Sequence, residues 1–573
     1  MKKWVVSAKK ADFNAIAEKY DISPMLARIM RNRDVIGDDA ISMYLKGTKE
    51  DMHDPFLLKD MNIAVKLIKD VIAAGDKIFI IGDYDIDGIC SSYILLKGIE
   101  ALGGTVSVRL PDRTADGYGM NMGMVDEAVE YGASLILTCD NGIAAYDEIE
   151  YARKKGLKVI VTDHHEVPYE ENGDQKVYRI PNADAVIDPK QKECSYPYDG
   201  ICGAMVAYKL IQALFKEAGL QEDILDEFLM FAGFATVGDI MDLKDENRIA
   251  VKHALDKMKT TRNQGMKCLI DVTGTDRNRM SPYTIGFILG PCINATGRLD
   301  SANRALSMFL KEKHEDALNI ALELKSLNDS RKDLTEEYKE KAVDLVERTG
   351  EFKEDKILVV YIPDCLDSLA GIIAGKLREK YSKPTFVLTG KGDCVKGSGR
   401  SIDAYDMYSH MTECGDLLLK FGGHKMAAGL SIKEENINTF RRRLNDNCSL
   451  TEEEMQDKLT ADMALPLSYA TMQLAGELDK LEPYGKGNPK PLFAQKDLVF
   501  SDVRVLGKNR NAVKIKVKPK DNSAKELDAM IFGDGDEIAE DLKGKDDIAI
   551  MYELDINEYM GNRSVQLIVK DYR

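Results

Sequence analysis

No C-x-x-C pair occurs among the ten cysteines of this 573-residue chain, which argues against a zinc ribbon or a dithiol redox motif. Scattered thiols suit a reducing compartment, so a cytoplasmic location is expected. No Gly-Lys pair is followed by Ser or Thr, so the phosphate-gripping loop of an ATP-driven motor is missing. The longest weakly polar run, "FLMFAGFATVG", has 11 residues, well short of a membrane span. The apolar patch in "MKKWVVSAKKADF" is too short for a secretory core. No internal repeat or low-complexity tract is present. Net positive charge is lacking as well: the balance is −17, and an acidic body repels a phosphate backbone unless basic residues gather locally.

What is present is enough apolar character, 44% of residues, to build a real core, over a length suited to three or four domains. From about residue 76 to 245, short β-rich runs alternate with helical stretches. "KIFIIGD", "LILTCD" and "KVIVTD" each end in aspartate, and segments such as "SSYILLKGIEALG" separate them. This rhythm predicts a parallel α/β sheet, whose ligands bind beyond the carboxyl ends of its strands. Residues 301–348 hold almost no Gly or Pro and predict long helix. A second α/β pattern opens with "KILVVYIPD" and runs to about 450. After an acidic helical linker and the Pro/Gly-rich "LEPYGKGNPKPLF", five short strands predict a small OB-like barrel.

The densest chemistry is "GDYDIDG", with Asp83, Asp85 and Asp87 at alternate positions. A calcium loop of the EF-hand type needs glutamate at its twelfth position, and counting from Asp83 that position is Ile94. Three further elements lie at successive strand ends or beyond: Asp140 in "LTCDNGI", Asp163, His164 and His165 in "VTDHHE", and Asp239, preferred to Asp242, in "VGDIMDL". Any one of these aspartates alone could be a turn or helix cap. Gathered without a cation they would repel, by roughly 4 kcal/mol per pair at about 4 Å and an effective dielectric near 20. Oxygen donors with an imidazole suit Mn2+ or Mg2+. The number of acids points to two ions about 3.5–4 Å apart, bridged by a carboxylate.

"DYDIDG", "DNGI", "DHHE" and "GDIMDL" resemble motifs I to IV of the DHH phosphoesterase superfamily. "VRLPDRTADGYGMN", "FILGPCINATGRL", "GSGRS", "FGGHKMAAGL" and "LEPYGKGNP" are similar to strings of its RecJ branch, the single-strand-specific 5′→3′ exonucleases. The resemblance implies one ion held by Asp83, Asp85 and Asp140, and another by Asp87, Asp140, His164 and Asp239, with Asp140 as the bridge. It sets His165 at the scissile phosphate with Asp163 beside it as the catalytic pair. It divides the chain into an N-terminal helical arm (1–60), a DHH catalytic domain (61–300), a connecting long helix (301–350), a DHH-associated substrate-binding domain (351–455), and a linker with an OB-like nucleic-acid-binding domain (456–573).

For substrate, "KGSGRS" (396–401) reads as a turn whose amides and guanidinium suit a phosphate, and His424 follows two glycines. By resemblance Arg113, Ser398 and Arg400 form the pocket for the terminal 5′-phosphate, Arg298 meets a phosphate near the ions, and His424 lines the same cleft. In "VKIKVK" the lysines Lys514, Lys516 and Lys518 alternate onto one strand face, either a track for a single strand's backbone or a merely solvated surface. Two positions depart from the RecJ pattern: Cys292 stands where an arginine is usual, and Leu366 where a histidine is. Both departures remove polar groups near the expected DNA path.

The expectation is a metal-dependent exonuclease on single-stranded DNA bearing a 5′ end, in recombination or repair, with a single-strand-binding protein or helicase as partner. The alternatives are a phosphodiesterase of short oligonucleotides or cyclic dinucleotides, and a RecJ-like subunit that binds DNA without cutting it.

Overall fold

A computed structural model describes all residues except Met1, Thr114, Ala115, Tyr118, Gly173, Asp174, Gln221, Glu222, Thr349, Glu351 and Met560. Three positions of "VRLPDRTADGYGMN" therefore lie outside the described residues. The chain divides into two compact units: Trp4–Leu324 with Thr460–Arg573, and Lys325–Leu459 with the first three residues.

The larger unit begins with helices α1 (Phe13–Tyr20), α2 (Pro24–Asn32) and α3 (Asp38–Lys46). It continues into a five-stranded sheet made of β1 (Lys77–Ile81), β2 (Thr105–Arg109), β3 (Ala133–Thr138), β4 (Lys158–Thr162) and β5 (Ala185–Ile187). All pairings are parallel, in the order β2-β1-β3-β4-β5. Strands such as "KIFII" are apolar nearly throughout because helices cover both faces of a parallel sheet. The order reverses between β1 and β3, and a crevice opens outside the strand ends at such a switch point. Asp83 follows β1 and Asp140 follows β3. On the sheet pack α4 (Ile86–Ala101) and α5 (Gly203–Ala218), and outside them α6 (Leu225–Gly238), α7 (Asp245–Thr260) and α8 (Gly290–Leu299), with α6 and α8 against α4 and α7 against α6. The long α9 (His314–Arg348) carries the chain out of this unit.

The smaller unit is a mixed sheet of β6 (Leu358–Tyr361), β7 (Thr385–Thr389), β8 (Val395–Arg400), β9 (Leu418–His424) and β10 (Ala427–Ile432), with α10 (Asp367–Tyr381) packed on it. The order is β9-β10-β8-β7-β6, and only β6 and β7 run parallel. "KGSGRS" is not a turn: its first five residues lie in the central strand β8, paired on both sides. Glycine weakens a strand unless a neighbour needs the room. Here a Cβ at Gly397 would meet the Leu388 side chain at 2.3 Å.

The chain then returns to the larger unit as a barrel of β11 (Phe493–Leu506), β12 (Ala512–Pro519), β13 (Leu527–Phe532), β14 (Ile548–Tyr559) and β15 (Asn562–Tyr572). Pairing of β11 with β14 closes the ring. The "LEPYGKGNP" string is a clamp on a buried arginine. Arg248 of α7, 1% exposed, donates to the carbonyls of Tyr44, Glu482 and Pro483. Asn488 bonds the carbonyls of Leu481 and Pro483 and accepts from the Tyr44 hydroxyl. Leu26, Ile29 and Met30 of the N-terminal arm share a core with barrel residues such as Ile515 and Tyr552. Among the described residues, no helix is long and apolar enough to cross a membrane.

Candidate metal centre

Backbone groups position the acids at the crevice. Asp85 is the N-cap of α4, its carboxylate accepting from the amides of Asp87 and Gly88 at 2.9 and 3.1 Å. The helix-cap role and the ligand role thus fall on one residue. Asp87 lies inside the first turn of α4 and faces the N-terminus of α5, accepting from the amides of Gly203 and Ala204 at 2.7 and 2.8 Å. That end of a helix favours negative charge. Gly203 is required there, because a Cβ would meet that of Asp140 at 2.8 Å. Asp140 adopts a left-handed conformation, φ 60°, which turns its side chain back over the strand ends. Asp239 follows α6 as its C-cap.

His164 Nε2 collects three of these acids, at 3.0 Å from Asp140, 3.5 Å from Asp87 and 3.8 Å from Asp239. Three sets have ligand atoms within 4.8 Å of one another: Asp83, Asp85 and Asp140; Asp87, His164 and Asp239; and Asp140, His164 and His165. Asp83 Oδ1 is buried without a hydrogen-bond donor, as suits an atom shaped for a cation. The donor set, oxygens with one or two imidazoles, fits Mn2+ or Mg2+. Asp140 belongs to two of these sets and lies 3.0 Å from His164 of the third, which suits a bridge.

The electrostatics carry the same mark. Burial, then the charges of neighbouring carboxylates, push the carboxyls of Asp83 and Asp140 well above the usual range. The same causes raise Asp239 to about 8. Burial holds His164 down at about 4, so its imidazole is neutral and free to ligate. Asp163 stands apart and joins none of the three sets. Its carboxylate accepts from the amides of Ile143, His164 and His165 and from His165 Nδ1 at 2.7 Å. Burial pushes Asp163 up, but the His165 bond and both histidine charges outweigh it and bring it to about 2. Burial likewise opposes the His165 charge, yet the bond to Asp163 lifts that ring to about 9.

Of the other expected site residues in this unit, Arg113 lies 5.3 Å from the Tyr84 ring centre, and the charges of Arg113 and Arg298 both act on the Tyr84 hydroxyl. Asp242 is away from the cluster, paired with Lys244 at 2.9 Å. Lys514, Lys516 and Lys518 share one face of β12 as expected, but Lys514 pairs with Asp528 at 2.8 Å and Lys516 with Glu526 at 3.3 Å.

In the smaller unit, Ser398 and Arg400 lie on one face of β8. His424 ends β9, exposed, its Nδ1 accepting from the Met426 amide at 3.2 Å. The departures separate. Leu366 is exposed at the N-cap of α10. Cys292 is buried, its thiol on the Ile288 carbonyl. It faces the interior, because helical phase turns this position of α8 toward the core.

Three residues were not found from the sequence. Asn294 accepts from the Ile86 amide at 2.8 Å. Asn141 donates to the carbonyls of Ile81 and Cys139. Asp188, raised to about 8 by burial and by Asp163, lies behind the histidine pair. Asn141 adjoins Asp140 in "CDNG", where a side-chain amide after a strand could have been suspected. Asn294 lies within the "FILGPCINATGRL" string, which could have drawn attention to it; Asp188 carries no local signal.

Three family models match the chain: the DHH family N-terminal domain over 77–233, the DHHA1 domain over 354–450 and the RecJ OB domain over 461–571. Among curated relatives, the single-stranded-DNA-specific exonuclease RecJ of Bacillus subtilis is 34% identical, over 99% of this chain and 70% of its own length. The one from Salmonella typhimurium is 31% identical over 96% of each. A crystal structure of RecJ in complex with Mn2+ from Thermus thermophilus superposes with a TM-score of 0.82 at 26% identity, covering 100% of this chain and 79% of that one. Its Mg2+ counterpart gives 0.76 at 25% identity, with 100% and 78% covered.

Proposed function

The chain belongs to the RecJ family, and on that footing we propose that it is a metal-dependent exonuclease of single-stranded DNA that works from the 5′ end. The observation that carries this is the convergence of Asp83, Asp85, Asp87, Asp140, His164 and Asp239 on one crevice. Asp83, Asp85 and Asp140 would hold one divalent ion, and Asp87, Asp140, His164 and Asp239 a second. Mn2+ and Mg2+ both suit these donors, and both occupy the Thermus relative. Such ions supply positive charge to a phosphoryl group under attack and acidify water.

The chain's own residues do the rest. Asp163, through Nδ1, fixes the His165 ring so that Nε2 is available to a phosphate oxygen. Arg113 and Arg298, grouped with Tyr84, offer guanidinium groups to phosphates in the same region. Ser398, Arg400 and His424 are the proposed grip on the terminal 5′-phosphate. Lys514, Lys516 and Lys518 are the proposed contact with the backbone further along. A cytoplasmic location, a role in recombination or repair, and delivery of substrate by a single-strand-binding protein or a helicase complete the reading.

The test uses one oligonucleotide labelled at its 5′ end and one at its 3′ end, in Mn2+ and in EDTA. Mononucleotide release from the 5′ end, dependent on metal and sparing duplex, is the expected result. Cleavage confined to di- to tetranucleotides would assign a short-substrate phosphodiesterase, and binding without cleavage a DNA-holding subunit.

A further inference from the structure

Two large aromatic residues on the catalytic unit stand exposed side by side; Tyr283 lies outside every motif, and Phe287 opens the "FILGPCINATGRL" string. Tyr283 and Phe287 are 64% and 66% exposed, and their rings stack on each other, with centres 4.7 Å apart and planes 23° from parallel. A protein rarely leaves two large rings side by side in water, because each could bury 150–250 Å2. Tyr283 precedes, and Phe287 lies within, a π-helical turn, Ile285–Leu289, that runs without a break into α8. Such turns gather at functional sites.

The same helix leads to the metal centre. Asn294 and Arg298 follow Phe287 by seven and eleven residues, which returns them to its face after two and three turns. Asn294 bonds the Ile86 amide beside the aspartate motif, and Arg298 acts on Tyr84. At 1.5 Å per residue, Phe287 stands about 16 Å along the axis from Arg298. Beside Tyr283 opens a cleft of about 750 Å3, between α7, the N-terminal arm and the barrel's lead-in. Its lining includes Lys46, Lys252, Lys259 and Lys480, set among carboxylates such as Asp256, which pairs with Lys259.

We propose that Tyr283 and Phe287 form a stacking platform for nucleobases of the single strand, a few nucleotides to the 3′ side of the scissile bond. This rests on the exonuclease reading above. Every base has a flat face, so stacking holds a strand without reading its sequence, as a nuclease that advances along DNA requires. The lysines beside Tyr283 are of the sign a phosphate backbone needs, and the helix face joins the platform to Arg298.

The full chain is titrated in EDTA, which prevents cleavage, with labelled oligodeoxythymidylate and with an abasic strand of equal length. Tyr283→Ala/Phe287→Ala should bind the thymidylate roughly ten- to a hundredfold more weakly than the wild type. The wild type should bind the abasic strand as weakly as the double variant binds thymidylate. Phe287→Trp should keep the affinity and show quenched fluorescence on binding, whereas Phe287→Leu, equally apolar, should lose it. Equal affinity of wild type and double variant, or an abasic strand held as tightly as thymidylate, overturns the platform alone and leaves the rings as a protein-docking surface. A wild type that neither binds thymidylate nor degrades it in Mn2+ overturns the exonuclease reading itself.

Discussion

His164 Nε2 stands 3.0 Å from Asp140 Oδ1, although the two residues leave the ends of neighbouring strands and are 24 positions apart in sequence. The parallel register of β3 and β4 makes that meeting, and the left-handed turn at Asp140 aims it.

Asp140 and His164 each belong to two of the ligand sets, and Asp140 is the proposed bridge, so its loss should reach both ions. Asp140→Asn is expected to lower kcat on the order of a hundred- to a thousandfold, the scale of losing one preorganised charged group. Calorimetric titration with Mn2+ should show weaker binding. Mn2+ should raise the melting temperature of the wild type, as a ligand of the native state must, and have little effect on the variant. Full activity in Asp140→Asn would refute the two-ion arrangement.

Asp163 acts through His165. Asp163→Asn keeps the volume but replaces an anionic acceptor, and should cost roughly 10–100-fold in kcat, as for partners that orient working groups. Mn2+ affinity should change far less than in Asp140→Asn. If the two variants lost metal equally, Asp163 would be a ligand.

His53 and Asp245 form a pair remote from the crevice, Nε2 to Oδ1 at 2.6 Å. The bond to Asp245 raises the His53 pKa. A raised histidine contributes stability that is full below its unfolded value, about 6.5, and lost as pH rises through the folded value. Burial opposes the Asp245 charge, but the His53 bond outweighs it and leaves that carboxyl lowered. Its contribution is therefore lost only in acid. His53→Asn should destabilise the chain more at pH 6 than at pH 9, as read by melting temperature. A difference that grew with pH would contradict this assignment.

The three lysines of β12 should not behave alike. Lys514 and Lys516 must leave Asp528 and Glu526 before meeting a phosphate. Lys518→Ala should therefore weaken single-strand binding about equally for all sequences and lower the salt slope by about one. Lys514→Ala and Lys516→Ala should do less. Three equal effects would mean that the pairs open at no cost when DNA arrives.

Much of this was legible because strand ends are local events. "KIFIIGD", "LILTCD" and "KVIVTD" declare a strand and its final carboxylate within seven residues, and parallel-sheet geometry brings such ends together. Asp87 was legible as an acid, but not its grip on the amides of Gly203 and Ala204, 116 and 117 residues on, because that depends on how α5 docks. "GSGRS" misleads by composition: glycines signal a turn, and only the crowding by Leu388 reveals a strand. The burial of Cys292 was not legible from its motif, since spacing along a sequence does not say which face of a helix a residue occupies. Asn294 sat within the "FILGPCINATGRL" string, but its bond to the Ile86 amide, 208 residues back, depends on how α8 docks.

Arg248 ties α7 to the carbonyls of both the arm and the barrel's lead-in, and it cannot give up its charge. A guanidinium so enclosed turns three separable stretches of gene into one cooperative fold. Cutting the chain at its Pro/Gly-rich boundary would strand a buried cation and open the core that Leu26 shares with Ile515. The barrel is therefore not a cassette to be deleted or traded between relatives, and a truncated chain that fails on DNA will have failed first to fold.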